Sequence, residues 1–429
     1  MEGGLGQFDA IYNILIMVVI ITLIARQFNF PSTIAFIFAG LLAASVPRIP
    51  LPELSPEIFL TLLLPPILFT ETLTMDVDGL IDDSDTILSF AIAGTAIMVS
   101  AVGIYTHYVF NISWIEAFVL GIIIAPTDPV SVIATFKKLG VIKRFQLILA
   151  GESLFNDGVA IVVYSILLII IEAGTITAAE VVYLTVLKIF GGAVLGYIAG
   201  YVVHLIFCWT EDLYAETLLT FIVAFGVFRL AEEFHASGVI AVVVAGLIFN
   251  YRCRNHGGVS EKGEEMLEVL WEFVGFIASS FAFIFIGISL ELELLTRYAL
   301  PILALSLVSV IFRYGMTEVV ARFLENYRDK RIPSNWRIGM TWSGLRGAVS
   351  VVLVLGITGV DLPSEQLLLA LTYGIVLGSN LIQGLTMPYA INRLRLYSSS
   401  RAPHPLSLRK NRMKSCLIPV INRPFFPAY

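Results

Sequence analysis

The chain has 429 residues, of which 57% are hydrophobic and only 14% charged, and its mean hydropathy is +0.87. A soluble globular domain of this length is excluded by such values. The net charge of −6 is small for the length, so where the charges lie matters more than their sign, and no nucleic-acid partner is expected. Cys208, Cys253 and Cys416 are far apart and lack metal-type spacing, so no disulfide framework, zinc site or other cofactor is expected.

Charge-free windows at 10–25, 27–47, 86–115, 189–210, 273–290 and 366–392 mostly reach the roughly 17 to 25 residues of a spanning helix. The fold class is therefore an all-α polytopic membrane protein, with membrane lipid as its first partner. The first window follows Glu2 and Asp9 without a basic leader, which reads as a retained span. Breaking the chain at charged, Pro-rich and Gly-rich junctions gives about thirteen spans, centred near 18, 38, 64, 98, 126, 157, 195, 223, 242, 278, 308, 347 and 380. The spans near 64 and 242 are short, so a count of twelve stays open.

Lys137, Lys138, Lys143 and Arg144 follow span five, Arg252, Arg254 and Lys262 follow span nine, and Arg322, Arg328, Lys330, Arg331 and Arg337 surround the loop after span eleven. By parity these loops share one face, which the positive-inside rule makes cytoplasmic. The opposite loops hold Glu172, Glu180, Asp361 and Glu365, so the N-terminus is expected outside and the C-terminus inside. The loop MDVDGLIDDSD, 75–85, carries five aspartates on the basic face and reads either as a solvated loop or as a cation-concentrating vestibule. Residues 1–397 form one membrane domain, and the basic, Ser- and Pro-rich tail 398–429 is expected to be disordered.

Polar residues inside the spans carry the chemistry. In AGESLFNDG, 150–158, Glu152 and Asn156 share one helix face, Ser153 and Asp157 the adjacent one. The preceding span reads APTDPVSV, where Pro126 and Pro129 remove backbone N–H groups and break the helix around Thr127. Such a break must be buried in protein or line a watery cavity. Counting from the basic loop places Asp128 roughly 14 Å and Asp157 roughly 20 Å along their helices, near the middle of a slab about 30 Å thick. Asp128, Asp157, Thr127, Ser153, Asn156 and the freed carbonyls form an all-oxygen set suited to a hard cation.

A second break, SGLRGAVS, puts Arg346 between Gly344 and Gly347, and Glu152 is its expected partner. Breaks in spans five and twelve, seven apart, fit two inverted repeats, spans one to six and eight to thirteen, a pointer to a secondary transporter. Arg313 reads as a partner of Glu318 or as a snorkelling charge with a supporting role. Glu71, after the Pro65-Pro66 break, reads as a third carboxylate at the cavity or as an interfacial residue.

FPSTIAFIFAGLL, LLPPILF, APTDPVSV, GESLFNDG and GLRGAVS, in this order over most of the chain, resemble the NhaP-type sodium/proton antiporters of the monovalent cation:proton antiporter superfamily, the branch that also holds the animal sodium/hydrogen exchangers. The resemblance implies about thirteen helices in two inverted repeats, here 8–172 and 212–395 joined by a linker helix 180–210, and a homodimer in the plasma membrane. It implies electroneutral exchange of one sodium or lithium ion for one proton, with sodium, lithium and protons as transported partners and no cofactor. Asn156-Asp157 matches the electroneutral branch. By the same resemblance, Asp157 takes cation and proton in turn, Asp128, Ser153 and the Thr127 carbonyl help coordinate sodium, Asn156 supports the site, and Glu152 pairs with Arg346. Many relatives read Leu-Phe-Glu after the prolines. Here Thr70 intervenes between Phe69 and Glu71, so the coordinating glutamate is displaced by one position or absent.

Two other classes compete. A cation channel would need a repeated filter segment or charged pore ring, and neither is apparent. An intramembrane aspartic protease could use two aspartates on adjacent spans, but the cavity glycines and prolines and the Arg346 counter-charge fit transport better.

Overall fold

The charge-free windows fold as helices because backbone groups in hydrocarbon must pair within their own segment. The structure is a computed structural model. It describes residues 2–397 apart from 29, 47–55, 129, 175, 210–211, 257–260, 329, 359 and 361, so the expected tail at 398–429 lies outside the described residues. Among the described residues the helices are α1 (Glu2–Phe28), α2 (Ser32–Ala44), α3 (Pro56–Thr74), a short α4 (Val77–Asp82), α5 (Ser84–Phe110), α6 (Trp114–Ile124), α7 (Val130–Leu139), α8 (Lys143–Ala173), α9 (Ala178–Phe207) and α10 (Leu213–Glu233). There follow α11 (Gly238–His256), α12 (Glu261–Ser289), a short α13 (Leu292–Arg297), α14 (Ala299–Arg328), α15 (Ser334–Trp342), α16 (Ala348–Leu355) and α17 (Glu365–Leu394).

Nine of these are long and apolar enough to cross a membrane, and α2, α6 and α11 are shorter apolar helices. The pairs α6–α7 and α15–α16 each make one interrupted span, which brings the described residues to the expected thirteen. The chain is thus an all-α polytopic membrane protein. In α3 the local irregularity accompanies the prolines: it winds as π-helix over Phe59–Leu63, just before Pro65 and Pro66, which have no N–H for the carbonyls of Thr61 and Leu62.

Packing divides the helices into two groups. In the first, α3 lies on α10, α11 and α12, α2 runs along α12, and α9 runs along α11. The α9–α11 approach depends on Gly192 and Gly200, where a Cβ would come within 2.6 Å of Ser237 O and 2.5 Å of Ala245 O. In the second, α5, α6, α8, α14, α16 and α17 pack on one another. The groups meet where α16 touches α3 and α12 and where α8 touches α11. Several contacts recur at a seven-span offset: α2 on α12 is matched by α11 on α3, α5 on α8 by α14 on α17, and α5 on α6 by α14 on α15. Among the nine long helices the least buried are α1 and α9 and the most buried is α17.

One end of the second bundle is fastened by charges. Asp83 accepts from Arg144 Nε at 2.7 Å and Nη2 at 2.8 Å, and Lys330 Nζ lies 2.6 Å from Asp85 Oδ1 and 2.7 Å from Asp82 O. Asp76 caps α4 through Gly79 N. Within the acidic loop Asp83 and Asp85 are engaged by cations and tie the start of α5 to α8 and to the loop before α15, while Asp76, Asp78 and Asp82 are exposed. Ile142 N donates to Leu396 O at 3.1 Å at the same end. The loops after spans three, five and eleven and the end of span thirteen thus share one side, as parity required. At the other end, Glu116 closes a capping box with Ser113 and its Oε1 accepts from Ser364 N at 2.8 Å, joining the start of α6 to the start of α17.

Candidate ion-binding site

The two helix breaks cross at the centre of the second bundle. Asp128 N donates to Leu345 O at 2.8 Å, and a Cβ on Gly347 would overlap the Asp128 side chain. A glycine at this position is thus a requirement of the crossing. Below it, α8 holds Thr127 from two directions: Ser153 Oγ donates to the Thr127 carbonyl, and Asn156 Nδ2 donates to Thr127 Oγ1 at 3.0 Å. Asp157, one step further along α8, is 9% exposed, and its Oδ1 is buried with no hydrogen-bond partner among the described residues.

A cavity of about 40 Å³ lies against these groups, lined by Glu71, Thr127, Asp128, Asp157, Ser279 and Gly347. It adjoins a wider cavity of about 360 Å³ lined by Ser32, Thr70, Glu71, Lys137, Glu272 and Ser279, among others. Glu71 and Ser279 border both, so Glu71 stands where the wide cavity narrows toward Asp157. Lys137 places the wide mouth on the side of the basic loops. A pocket of about 10 Å³ behind the break is lined by Thr127, Asp128, Ser153, Arg313 and Ser343. Of the residues expected at the site, Asp157, Asp128, Thr127 and Glu71 share the central cavity. Ser153 and Asn156 instead position Thr127. Among the described residues no three His, Cys, Asp or Glu side chains cluster as a resident metal site would need, so any cation held here uses hydroxyl and carbonyl oxygens beside the carboxylates.

The expected ion pair is different from the one formed. Glu152 Oε1 lies 2.6 Å from Arg313 Nη2, and both side chains are buried. Arg346 Nη1 instead donates to Ala125 O at 2.7 Å and Pro126 O at 3.1 Å. The reason is backbone chemistry: in a continuous helix Ala125 O would accept from residue 129, which is a proline without an N–H. Arg346 supplies the missing donor. Its own backbone is held by Ser379 Oγ, which accepts from Arg346 N at 3.2 Å, and by Asn380 Nδ2, which donates to Arg346 O at 2.8 Å. Glu318, the other partner considered for Arg313, bonds Arg322 at 2.9 Å and Arg337 at 3.0 Å.

Sequence reasoning missed Ser279, Glu272, Ser379 and Asn380. The only signal was polarity inside otherwise apolar windows, which does not say which face of a helix meets a cavity.

A family model described as sodium/hydrogen exchanger, transmembrane, matches residues 14–392. The chain belongs to the sodium/hydrogen exchanger family. Among curated relatives, this exchanger-family chain is 31% identical over 412 residues to a Na(+)/H(+) antiporter of Halobacillus aidingensis, covering 92% of this chain and 100% of the relative. It is 33% identical over 411 residues to one of Aphanothece halophytica, covering 92% and 76%, and 33% identical over 353 residues to one of Pseudomonas aeruginosa, covering 79% and 81%. Its fold matches the solved sodium proton antiporter of Methanocaldococcus jannaschii with a TM-score of 0.74, at 19% identity, over 91% of this chain and 99% of that one. Membership makes it an integral membrane protein of a transporter family.

Proposed function

We propose that the protein exchanges one sodium or lithium ion for one proton across the membrane without net charge, the two competing for Asp157. The single observation that carries this is the buried Oδ1 of Asp157, without a hydrogen-bond partner among the described residues, in the smaller part of a two-part cavity. A bare carboxylate there is costly unless a cation or a proton compensates it, so whichever leaves must be replaced by the other. The curated relatives' activity as sodium/proton antiporters supports the same reading. Asp128 and the Thr127 oxygens complete the cation's shell, Ser153 and Asn156 orient Thr127, and Glu71 meets the cation on its way in.

The two packing groups support alternating access, in which the bundle of α5–α8 and α14–α17 carries the site past the scaffold of α1–α3 and α9–α12. The repeats run over 8–172 and 212–395, and α9 serves as the linker at 180–210. The basic side is cytoplasmic, so the wide cavity opens inward. The exposed apolar faces of α1 and α9 meet lipid and a second copy in a homodimer, and the plasma membrane is the expected location.

The test is dissipation of a pH gradient in proteoliposomes on adding sodium, lithium or potassium in turn. Wild type responds to sodium and lithium, and Asp157→Asn gives no response. Full exchange by Asp157→Asn would remove Asp157 from the centre of the mechanism.

A further inference from the structure

We propose that Asn250 and Thr70 are positioning residues for cation entry: they tie the last turn of α3 to the scaffold and hold Glu71 toward the cytoplasmic route, so that Glu71 serves the site only while it faces the cytoplasm. The proposal deepens the exchange reading above and rests on it.

α3 stops at Thr74 and Met75 is extended, so the carbonyls of the last turn lose the N–H groups that a continued helix would bring. No glycine closes the end, since residues 75 and 76 are Met and Asp. Asn250 on α11 supplies the donor instead. Its Nδ2 donates toward Thr72 O at 2.7 Å and toward Leu73 O and Met75 O at 3.0 Å each. An amide that faces three carbonyls must present its nitrogen, so this orientation is set by chemistry. Asn250 and Thr72 are both buried.

The turn that carries Glu71 is held from two further helices. Thr70 Oγ1 donates to Trp271 O on α12 at 2.9 Å, and Trp271 Nε1 donates to Thr220 Oγ1 on α10 at 2.9 Å. Two glycines make room for the threonines: a Cβ on Gly246 would overlap Thr72 Oγ1, and one on Gly275 would come within 2.7 Å of Thr70 Oγ1. Thr70 and Thr72 flank Glu71 at one helical step on either side, so fixing both fixes where Glu71 points. Thr70 stands where the Leu-Phe-Glu pattern has its glutamate. It borders the wide cavity, whereas Glu71 borders both.

Every partner in this lock belongs to the scaffold, because Leu64–Thr74 packs on α10, α11 and α12. Asp157 lies on α8, in the other group. When the bundle carries Asp157 outward, Glu71 stays behind. Glu71 also sits in the last turn before the loop on the basic side, so its carboxylate adjoins the inward route alone. A cation arriving from outside reaches Asp157 without meeting it. Asn250 lines neither cavity and acts only through Glu71.

The experiment compares inside-out and right-side-out membrane vesicles from cells without other sodium/proton exchange. Proton movement is recorded against bath sodium, so each preparation reports the half-saturation of one face. Asn250→Leu keeps the volume and removes the donor. It should raise the cytoplasmic half-saturation roughly threefold to tenfold and leave the external value near wild type. Glu71→Gln should show the same one-sided rise, and the double variant should be no worse than Glu71→Gln alone, because one residue acts through the other. A merely structural cap predicts a lower maximal rate on both faces with neither half-saturation moved, and that result would overturn the proposal. Equal rises on both faces, or losses that multiply in the double variant, would overturn it too. Thr70→Val removes the hydroxyl bond to Trp271 and decides alone if Asn250→Leu does not assemble: a smaller cytoplasmic rise supports the lock, and no rise or a two-sided one refutes it. Absence of sodium-dependent proton flux from either face of wild type removes the exchange reading itself, whereas a symmetrical effect in an active exchanger removes only the positioning role.

Discussion

Arg346 and Ala125, 221 residues apart, are joined by a 2.7 Å hydrogen bond from the guanidinium Nη1 to the backbone carbonyl. The bond runs between the two broken spans and fills the place of the N–H that Pro129 lacks. It fixes the carbonyl end of α6 one residue from Pro126 and two from Thr127, so the geometry of the proposed ion site depends on a residue that does not line its cavity.

Arg346→Met should therefore do more than remove a charge. Two buried carbonyls lose their donor, at about 1–3 kcal/mol each. We expect a clear fall in melting temperature in detergent and loss of most sodium-dependent proton flux. A variant with unchanged melting temperature and unchanged half-saturation for sodium would show that the cap is not needed.

Gly347 faces Asp128 so closely that any Cβ must displace it. Gly347→Ala is expected to cost about 1–3 kcal/mol by overpacking and to push Asp128 out of register with Thr127. The half-saturation concentration for sodium should rise roughly tenfold, which corresponds to about 1.4 kcal/mol of binding. Unaltered sodium dependence would mean that the crossing tolerates the methyl group and that Asp128 is not held by contact.

Glu71 borders both cavities, which places it on the route to Asp157. If it concentrates cations without coordinating them at the final site, Glu71→Gln should raise the half-saturation for sodium by roughly threefold to tenfold and leave the maximal rate near wild type. Complete loss of exchange in a folded Glu71→Gln protein would instead make it a ligand, displaced by one position relative to the Leu-Phe-Glu pattern.

The Asp83–Arg144 clamp gives a pH dependence of stability. The double hydrogen bond from Arg144 holds the Asp83 carboxyl below the ordinary aspartate range, against the opposing effect of burial. A depressed folded value means that the clamp stabilises fully above the unfolded aspartate range and that this contribution is lost as pH falls through the folded value. Arg144 is 46% exposed, so solvent screening limits the contribution to about 1 kcal/mol or less. Asp83→Asn should lower the melting temperature slightly at neutral pH, and the difference from wild type should close as pH falls below about 4. A difference that grows on acidification would contradict the sign.

The pair formed by Glu152 and Arg313 is best measured by a thermal double-mutant cycle. Either single change to glutamine should cost about 3–5 kcal/mol, because the other charge stays buried, and the double change should cost less than the sum. Additive losses would mean that the 2.6 Å contact contributes no coupling.

The sequence by itself determined a count of about thirteen spans, the two breaks, the shared side of the basic loops, and the expectation that Asp128, Asp157 and Thr127 lie at similar depth. Each of these follows from local chemistry: windows without charge must be helical in lipid, prolines break helices wherever they stand, and residue spacing along a helix sets depth. Only the tertiary structure decided which arginine meets Glu152, where Arg346 goes, and that Asp83 and Asp85 of the 75–85 loop are engaged by Arg144 and Lys330. Partner choice is a long-range matter. Helix periodicity gives the face a charge occupies but not the helix that face meets, and an orphaned carbonyl competes for a guanidinium as effectively as a carboxylate does. The 3.6-residue period showed Glu152 turned away from Asp157, and the long side chain of Arg313, reaching from α14, meets it there.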